Sequence, residues 1–392
     1  MVFHILDVQK IEHVKGILIS CMNSKWHFWE NRPCVHLFSS LLAKHKRLLR
    51  KEQSIRPPTL QIGTTLFAKD PIVFRASAQS AKDLSYFWNT HYQTSEWTVS
   101  YSEKHVYEML QTATILGIRN TEGELVGTVA SCPLPGTFVS QGEEIPQRFF
   151  QVECLVIHPT MRGKGLAGWL LAWLDYCTST EDSVIHTWVR ESLHIRKLPQ
   201  RTIVPFRKMI TAQIRYASIA GRPHPEKVDA IPWPKIHDLM HAIRASDNYG
   251  FDMMYIPEES PTVSWWRVEI PDHPYCAMVV GIASSHRRRF KQRIFYVVFT
   301  CFVRTRPDDI LELKDPFWYE EDNYCPYIQD CIEAAAYAQK CDILTISNAS
   351  TCGDPFLKKW GNWTMSERKR KLYFYNFSHP SFTNGSVLWP VV

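Results

Sequence analysis

The 392-residue sequence predicts a mixed α/β protein, with mainly antiparallel sheets flanked by helices in a pattern that runs twice along the chain. Three observations predict it. Helix, helix, strand, strand, strand and helix periodicities follow one another before residue 180, and a similar order returns less clearly after residue 230. A chain of this length with 45% hydrophobic and 13% aromatic residues also exceeds one compact core. The expected division is an arm over 1–70, a first subdomain over 71–220 and a second over 221–392.

The elements can be justified in order. Residues 1–70 are rich in turns, and Ile55-Arg56-Pro57-Pro58 reads as an extended linker. From Lys82, Leu84, Phe87, Trp88 and His91 fall at helical spacing, and a second helix runs from Glu103 to about Gln111 with Ser102 as its cap. Ala113–Ile118 and Leu125–Ser131 are strands joined by Asn120-Thr121-Glu122-Gly123, an antiparallel hairpin. Phe149–Ile157 is the next strand, apolar on both faces over Cys154–Ile157 and stopped by His158-Pro159. Weaker strands at Val184–Val189 and Lys208–Tyr216 complete the first half. In the second half, Pro232–Arg244 and Tyr327–Gln339 read as helices and Phe356–Trp360 as a short one. Tyr275–Ala283, Arg293–Arg304, Asp342–Ile346 and Leu372–Phe377 read as strands. Thr305–Tyr324 is an acidic surface loop, and the basic clusters His286–Arg289 and Arg368–Lys371 cap strand ends in solvent.

The most informative stretch is Gln151–Leu174, where the strand passes through Arg162-Gly163-Lys164-Gly165 into an apolar helix carrying Leu166, Trp169, Leu170 and Trp173. Two glycines at a helix N-terminus leave backbone N–H groups and the positive dipole end free for an anion. Arg162 and Lys164 add charge. A Walker loop needs Gly-Lys-Ser/Thr and a dinucleotide fingerprint needs three spaced glycines; neither is present. The stretch resembles the acyl-CoA loop of the GCN5-related N-acyltransferase fold, Arg/Gln-x-x-Gly-x-Gly/Ala.

Composition sets outer limits. No apolar run approaches the ~20 residues of a membrane span and the start lacks signal-peptide order, so a soluble, cytoplasmic protein is expected. The 11 cysteines include no Cys-x-x-Cys and are irregularly spaced, which favours reduced thiols over zinc or disulfides. The net charge of +6 sits wholly in residues 1–56, mostly in Lys44–Lys51. That run is either a solvated helix face or a patch for phosphates of a cofactor or of RNA on the translation machinery.

Further residues resemble one branch of that fold, the glycylpeptide N-tetradecanoyltransferases (N-myristoyltransferases), over nearly the whole length. Phe28-Trp29-Glu30-Asn31-Arg32-Pro33 is similar to the family arm that covers CoA, and Leu84–Tyr92 to the helix before its acceptor loop. Leu125-Val126-Gly127 resembles a family strand, and Leu155, His158, Arg162, Lys164 and Ala167 fall in register with its CoA loop. Phe356-Leu357-x-Lys359 and Leu372–Phe377, close to the end of the sequence, are similar to its last motif.

The resemblance implies transfer of a long-chain acyl group, myristoyl, from acyl-CoA to the N-terminal glycine of a protein. It implies CoA contacts from Phe28, Trp29, Leu155, Val156, Arg162, Gly163, Lys164, Gly165, Leu166 and Ala167, and acceptor contacts from Tyr92, Glu96 and Tyr375. Myristoyl-CoA would be a co-substrate, with no permanently bound cofactor and no metal. The protein would be a monomer, with ribosome association through the basic segment as a further expected contact. The backbone amides of Cys154 and Leu155 would hold the thioester oxyanion, and the C-terminal carboxylate of Val392 would be the base. An α-amino group titrates near ~8 and an α-carboxyl near ~3.5, so that proton transfer is uphill by about 6 kcal/mol in water. Burial narrows the gap, and the tail Val387–Val392 is wholly apolar.

Three segments depart from the family, all on its peptide side. The acidic run after the acceptor-loop tyrosine is reduced to Glu96, a Gly-rich turn has become Thr364–Lys369, and a strand end has become Ile282–His286. Acceptor preference therefore differs, or activity is weak. Two other readings remain open at this point. One is a short-chain or acetyl-CoA-dependent acyltransferase, with Trp169 and Trp173 filling the acyl pocket. The other is an acyl-CoA-binding protein without turnover.

Overall fold

The structure is a computed structural model that describes residues 47–48, 70–93, 97–134, 136–140, 143–146, 148–178, 185–193, 208–219, 227–245, 253–270, 273, 275–289, 291–305, 311–313, 325–347, 363–375, 377–378 and 387–388. In chain order, β1 is Arg47–Leu48 and β2 Ile72–Val73. Helix α1 (Ala78–His91), strand β3 (Thr98–Val99) and helix α2 (Glu103–Thr112) follow. Then come β4 (Thr114–Arg119), β5 (Leu125–Pro133), β6 (Gly136–Ser140), β7 (Glu143–Ile145) and β8 (Phe149–Ile157). Helix α3 (Leu166–Thr178) leads to β9 (Ile185–Leu193), β10 (Lys208–Ser218), β11 (Val228–Ala230) and helix α4 (Trp233–Ala245). Strands β12 (Met253–Pro257), β13 (Val263–Glu269), β14 (Cys276–Arg289), β15 (Gln292–Thr305) and β16 (Leu311–Leu313) precede helix α5 (Cys325–Ala338). The chain closes with β17 (Ile343–Ser347), β18 (Thr364–Tyr375), β19 (Phe377–Ser378) and β20 (Val387–Leu388).

The expected helix starts are explained by their caps. Ser102 Oγ accepts the His105 N–H at 3.2 Å and starts α2 as anticipated. Helix α1 begins earlier than its apolar pattern, because Ser77 Oγ accepts the Ser80 N–H at 3.1 Å.

Among the described residues the main sheet has 14 strands, running β11-β13-β14-β15-β17-β10-β18-β9-β8-β5-β4-β2, with β16 on β15 and β3 on β14. Pairing is antiparallel except at β8·β9 and β15·β17. These two places repeat one design. In each, the connection between two parallel neighbours carries a helix, preceded in the second by β16, and the pair holds for three residues: Phe149–Gln151 against Ile185–Thr187, and Ile294–Tyr296 against Ile343–Thr345. The halves also interlock, since β18 from the far end of the chain lies between β9 and β10.

Side chains of the first half divide by face. Ile115, Ala130, Cys154 and Val156 pack under Leu84, Phe87 and Trp88 of α1 and Val106 and Leu110 of α2. Leu116, Ile118, Val126 and Val129 pack under Leu166, Trp169, Leu170 and Leu174 of α3. Alternate strand residues therefore serve opposite layers, which is why β4 and β8 read as continuously apolar.

Two expectations change. His286–Arg289 do end a strand, β14, whereas Arg368–Lys371 do not. β14 continues to Arg289 because Arg287 and Arg288 pair with Val99 and Thr98, and Arg368–Lys371 lie mid-strand, Lys369–Lys371 paired on both sides and Arg368 with Leu193 alone. Of Lys44–Lys51, the described pair Arg47–Leu48 is extended and bonded to Phe377–Ser378, which a helix cannot do. A second sheet, β20-β12-β6-β7, had no clear periodic signal because its strands are short. In it Val387 and Leu388 of the apolar tail pair with Met253 and Met254. The expected helix Phe356–Trp360 lies outside the described residues.

Among the described residues no helix is long and apolar enough to cross a membrane, and the cysteines are all free thiols.

Candidate active site

The site grows from an irregularity in β8. Ala130 pairs with Glu153 and Thr128 with Val156, so Cys154 and Leu155 together face the single residue Val129. This is a β-bulge, and Cys154 adopts φ 49, a left-handed conformation that side chains other than glycine avoid. Something must hold it. The Trp88 indole N–H donates to Thr128 Oγ1 at 2.9 Å, and the Thr128 hydroxyl donates to the Cys154 carbonyl at 2.9 Å, both buried. With its carbonyl fixed from one side, the peptide units at Cys154 and Leu155 depart from the ladder. Adjacent backbone N–H groups at such an irregularity are the raw material of an oxyanion hole.

The bulge sits just beyond a fork. Gln151↔Thr187 is the last pair joining β8 to β9, whereas β9 continues along β18 to Leu193. Strand β8 thus runs from Val152 to Ile157 beside a parting of the sheet.

Beyond β8, Pro159–Met161 forms a single turn and the chain enters the glycine loop. Gly163 and Gly165 have φ 78 and 79, which only glycine adopts cheaply. Arg162 Nε donates to the Ile157 carbonyl at 3.1 Å, tying the loop to the strand end. The Gly165 carbonyl accepts the Trp169 N–H at 3.1 Å, so Gly165 caps α3 and the helix N-terminus opens on the loop. Gly163, Lys164 and Gly165 are exposed, and Arg162 adds a cation there. Phosphate oxygens fit this chemistry. The His158 ring meets His91 of α1 edge-on at 4.5 Å, and burial, then His158 and Arg162, lowers the His91 pKa.

On the α1/α2 face of the bulge lies a polar group that sequence reasoning missed. Tyr101 is fixed by Asn89, whose Oδ1 accepts the Tyr101 N–H at 2.8 Å and whose Nδ2 donates to its carbonyl at 2.9 Å. The Cys154 thiol donates to the Tyr101 hydroxyl at 3.8 Å. Tyr101 also stacks on His286 of β14 at 4.8 Å, and His286 lies 3.9 Å from His105 of α2. Burial, with His105 adding, pushes His286 down to about 4, so the stack joins the two halves uncharged. Glu153 completes the group, accepting a hydrogen bond from Gln151 Nε2 at 2.7 Å. One signal could have found it, an acidic residue two positions after a glutamine inside a mainly apolar strand.

The anticipated residues fare differently. Cys154, Leu155, Val156, Arg162, Gly163, Lys164, Gly165, Leu166 and Ala167 form one continuous run from the bulge to the first turn of α3. Tyr92 follows α1, its ring edge-on to Trp97 at 5.5 Å. Tyr375 ends β18, paired with His186. Phe28, Trp29, Glu96 and Val392 lie outside the described residues.

Residues 85–194 match the sequence profile of the Acetyltransferase (GNAT) family, which spans β8, the loop and α3. A comparison with curated protein sequences finds no match. Among solved structures, one of Saccharomyces cerevisiae N-myristoyltransferase with bound myristoyl-CoA superposes with TM-score 0.65 at 12% identity, covering 97% of this chain and 96% of that one. This chain has the N-myristoyltransferase fold. A structure of the same yeast enzyme with myristoyl-CoA and inhibitors gives TM-score 0.64 at 14% identity, over 97% and 95% of the two chains. A further one with bound myristoyl-CoA gives 0.61 at 12% identity, over 91% and 93%. Shared N-myristoyltransferase architecture at so low an identity means that interior spacing has been kept while most side chains have changed.

Cys154 itself is no nucleophile. Burial, reinforced by Glu153, raises its thiol pKa well above the ordinary value, so the thiolate is suppressed. Cys154→Ala is expected to retain the transfer rate within about threefold, since backbone N–H groups survive the change. Cys154→Val puts a β-branched residue at φ 49, with strain of order 1–3 kcal/mol, and should lower both rate and melting temperature. Rates and thermal unfolding of the two variants check this.

Proposed function

We propose that this protein transfers a long-chain acyl group, myristoyl, from acyl-CoA to the N-terminal glycine of a protein. The observation that carries the reading is the succession of fork, bulge and glycine loop within Gln151–Leu166. The loop and α3 N-terminus receive the CoA phosphates, and the fork beside β8 admits the pantetheine and acyl chain. The amides of Cys154 and Leu155 hold the thioester oxygen as attack by the amine makes it negative, worth roughly 3–4 kcal/mol per donor. The first half of the chain carries acyl-CoA. The acceptor enters from the side of Tyr92, β3 and the second half.

The base in this reading is the α-carboxylate of Val392. Pairing of Val387–Leu388 with β12 in the small sheet supports a tail held against the body. Adding one residue after Val392 displaces that carboxylate, and transfer of labelled myristoyl to a glycine-starting peptide should then fall about 10²-fold or more. A protein that binds no myristoyl-CoA and transfers no label would overturn the whole reading.

A second reading rests on Trp169, which is buried at 6% exposure beside Trp173, with ring centroids 6.1 Å apart on α3. Should these indoles fill the acyl channel, the donor is acetyl-CoA or another short-chain thioester. Turnover with acetyl-CoA against myristoyl-CoA separates the two.

A further inference from the structure

We propose that Glu153 takes the second proton from the acceptor nitrogen and passes it to the departing sulfur. The proposal rests on the acyl-transfer reading above and concerns a step that reading leaves without a residue.

An acceptor amine arrives as an ammonium and must lose two protons to become an amide. The first leaves before attack, and the terminal carboxylate assigned above becomes protonated in taking it. Attack forms the C–N bond and gives an intermediate with a positive nitrogen and a negative oxygen. While the nitrogen keeps its extra proton, the amine is a better leaving group than the thiolate, so the intermediate reverts. A second acceptor, still ionised and close to the nitrogen, commits it forward. The C–S bond then breaks, the electron pair leaves on sulfur, and the proton on the second acceptor neutralises that thiolate. Amide and free thiol result, the second acceptor is again a carboxylate, and the net proton is the one first removed.

Glu153 has the position for this. It immediately precedes Cys154 and Leu155, the two donors of the oxyanion site, and pairs with Ala130 on the near side of the bulge. It comes two residues after Gln151, where β8 parts from β9, and so stands at the opening rather than behind a paired strand. The Gln151 amide donates to Oε1 at 2.7 Å and aims the carboxyl group. The titratable and charged neighbours are Tyr101 before α2, Cys132 on β5, Cys154 on β8 and Arg287 on β14. Burial raises the carboxyl pKa, while Arg287 and Gln151 pull it back. Glu153 is thereby a stronger base than a free carboxylate and, once protonated, a competent acid toward a thiolate. A carboxylate in this strand costs stability that the Gln151 amide and Arg287 offset.

The test uses the full chain and Glu153→Gln, which keeps shape and hydrogen bonding. The variant should lose about 10²-fold or more in kcat, with the dissociation constant for myristoyl-CoA, read by calorimetry, changed less than about threefold. Glu153→Asp should recover part of the rate, and in the Gln variant the acidic limb of the kcat–pH profile should lose the ionisation of Glu153 and change shape, keeping only that of the first base. Undiminished kcat in Glu153→Gln overturns this role while leaving the acyl-transfer reading intact. A loss confined to KM, with the pH profile unchanged, also overturns it. A wild-type protein that binds acyl-CoA yet acylates no amine fails both at once.

Discussion

Replacing Gly163 and Gly165 together by valine should weaken CoA binding about 10²-fold, as read by calorimetry with CoA and with myristoyl-CoA. Both residues sit at positive φ, 78 and 79, where an L-residue costs roughly 1–2 kcal/mol and a β-branched one more. The loop escapes that strain by changing conformation. The N–H groups at the start of α3 then no longer converge, and the dipole end they terminate points at nothing. At Gly163 sterics are not the cause, since a Cβ there meets no atom within 4 Å. Gly168→Ala is the control: its Cβ also enters open space, but within α3, so binding should hold and the helix should gain slightly. Equal binding by the valine variant would remove the loop from the CoA site.

Acid should destabilise the protein through His186. The imidazole is buried, with Nε2 3.1 Å from Ser131 Oγ and 3.5 Å from Thr178 Oγ1, and burial outweighs the opposing effect of Asp175 to push its pKa down to about 4. In the unfolded chain the same group titrates near ~6.5. Between these values the unfolded state binds a proton that the folded state refuses, so stability is full above pH ~6.5 and falls as pH drops toward ~4. The difference amounts to about 3 kcal/mol. His286, also held at about 4, adds a drop of the same sign, so the His186 share is the part of the difference in urea-unfolding stability between pH 7.5 and pH 4.5 that His186→Gln removes. Identical slopes in the variant and the parent would mean that the native state already accepts the proton.

The legible parts of this molecule are those whose cause is local. The apolar run of β8 ends where His158-Pro159 ends it, α2 starts on Ser102, and the two-glycine turn before an apolar helix announces an anion cradle. Spacing along a few residues decides each of these, and a reader of the sequence holds all the information needed. The strands β6, β7 and β12 escaped because they are too short for a period to show. One basic cluster was misplaced for a different reason. Charge suggested a strand end, whereas pairing with β9 and β10 puts Arg368–Lys371 in the middle of β18.

The sequence by itself determined the order of elements, the glycine loop and the run of residues from Cys154 to Ala167 that could face a thioester. Only the tertiary structure decided that Cys154 would bulge, because its conformation depends on Trp88 and Thr128, 66 and 26 residues away, reaching one carbonyl. Only the tertiary structure brought Arg287 and His286 of the second half to the same bulge. Local propensity acts over a turn or a strand, but a left-handed residue and an enclosed carboxylate survive only where distant parts of the chain close around them.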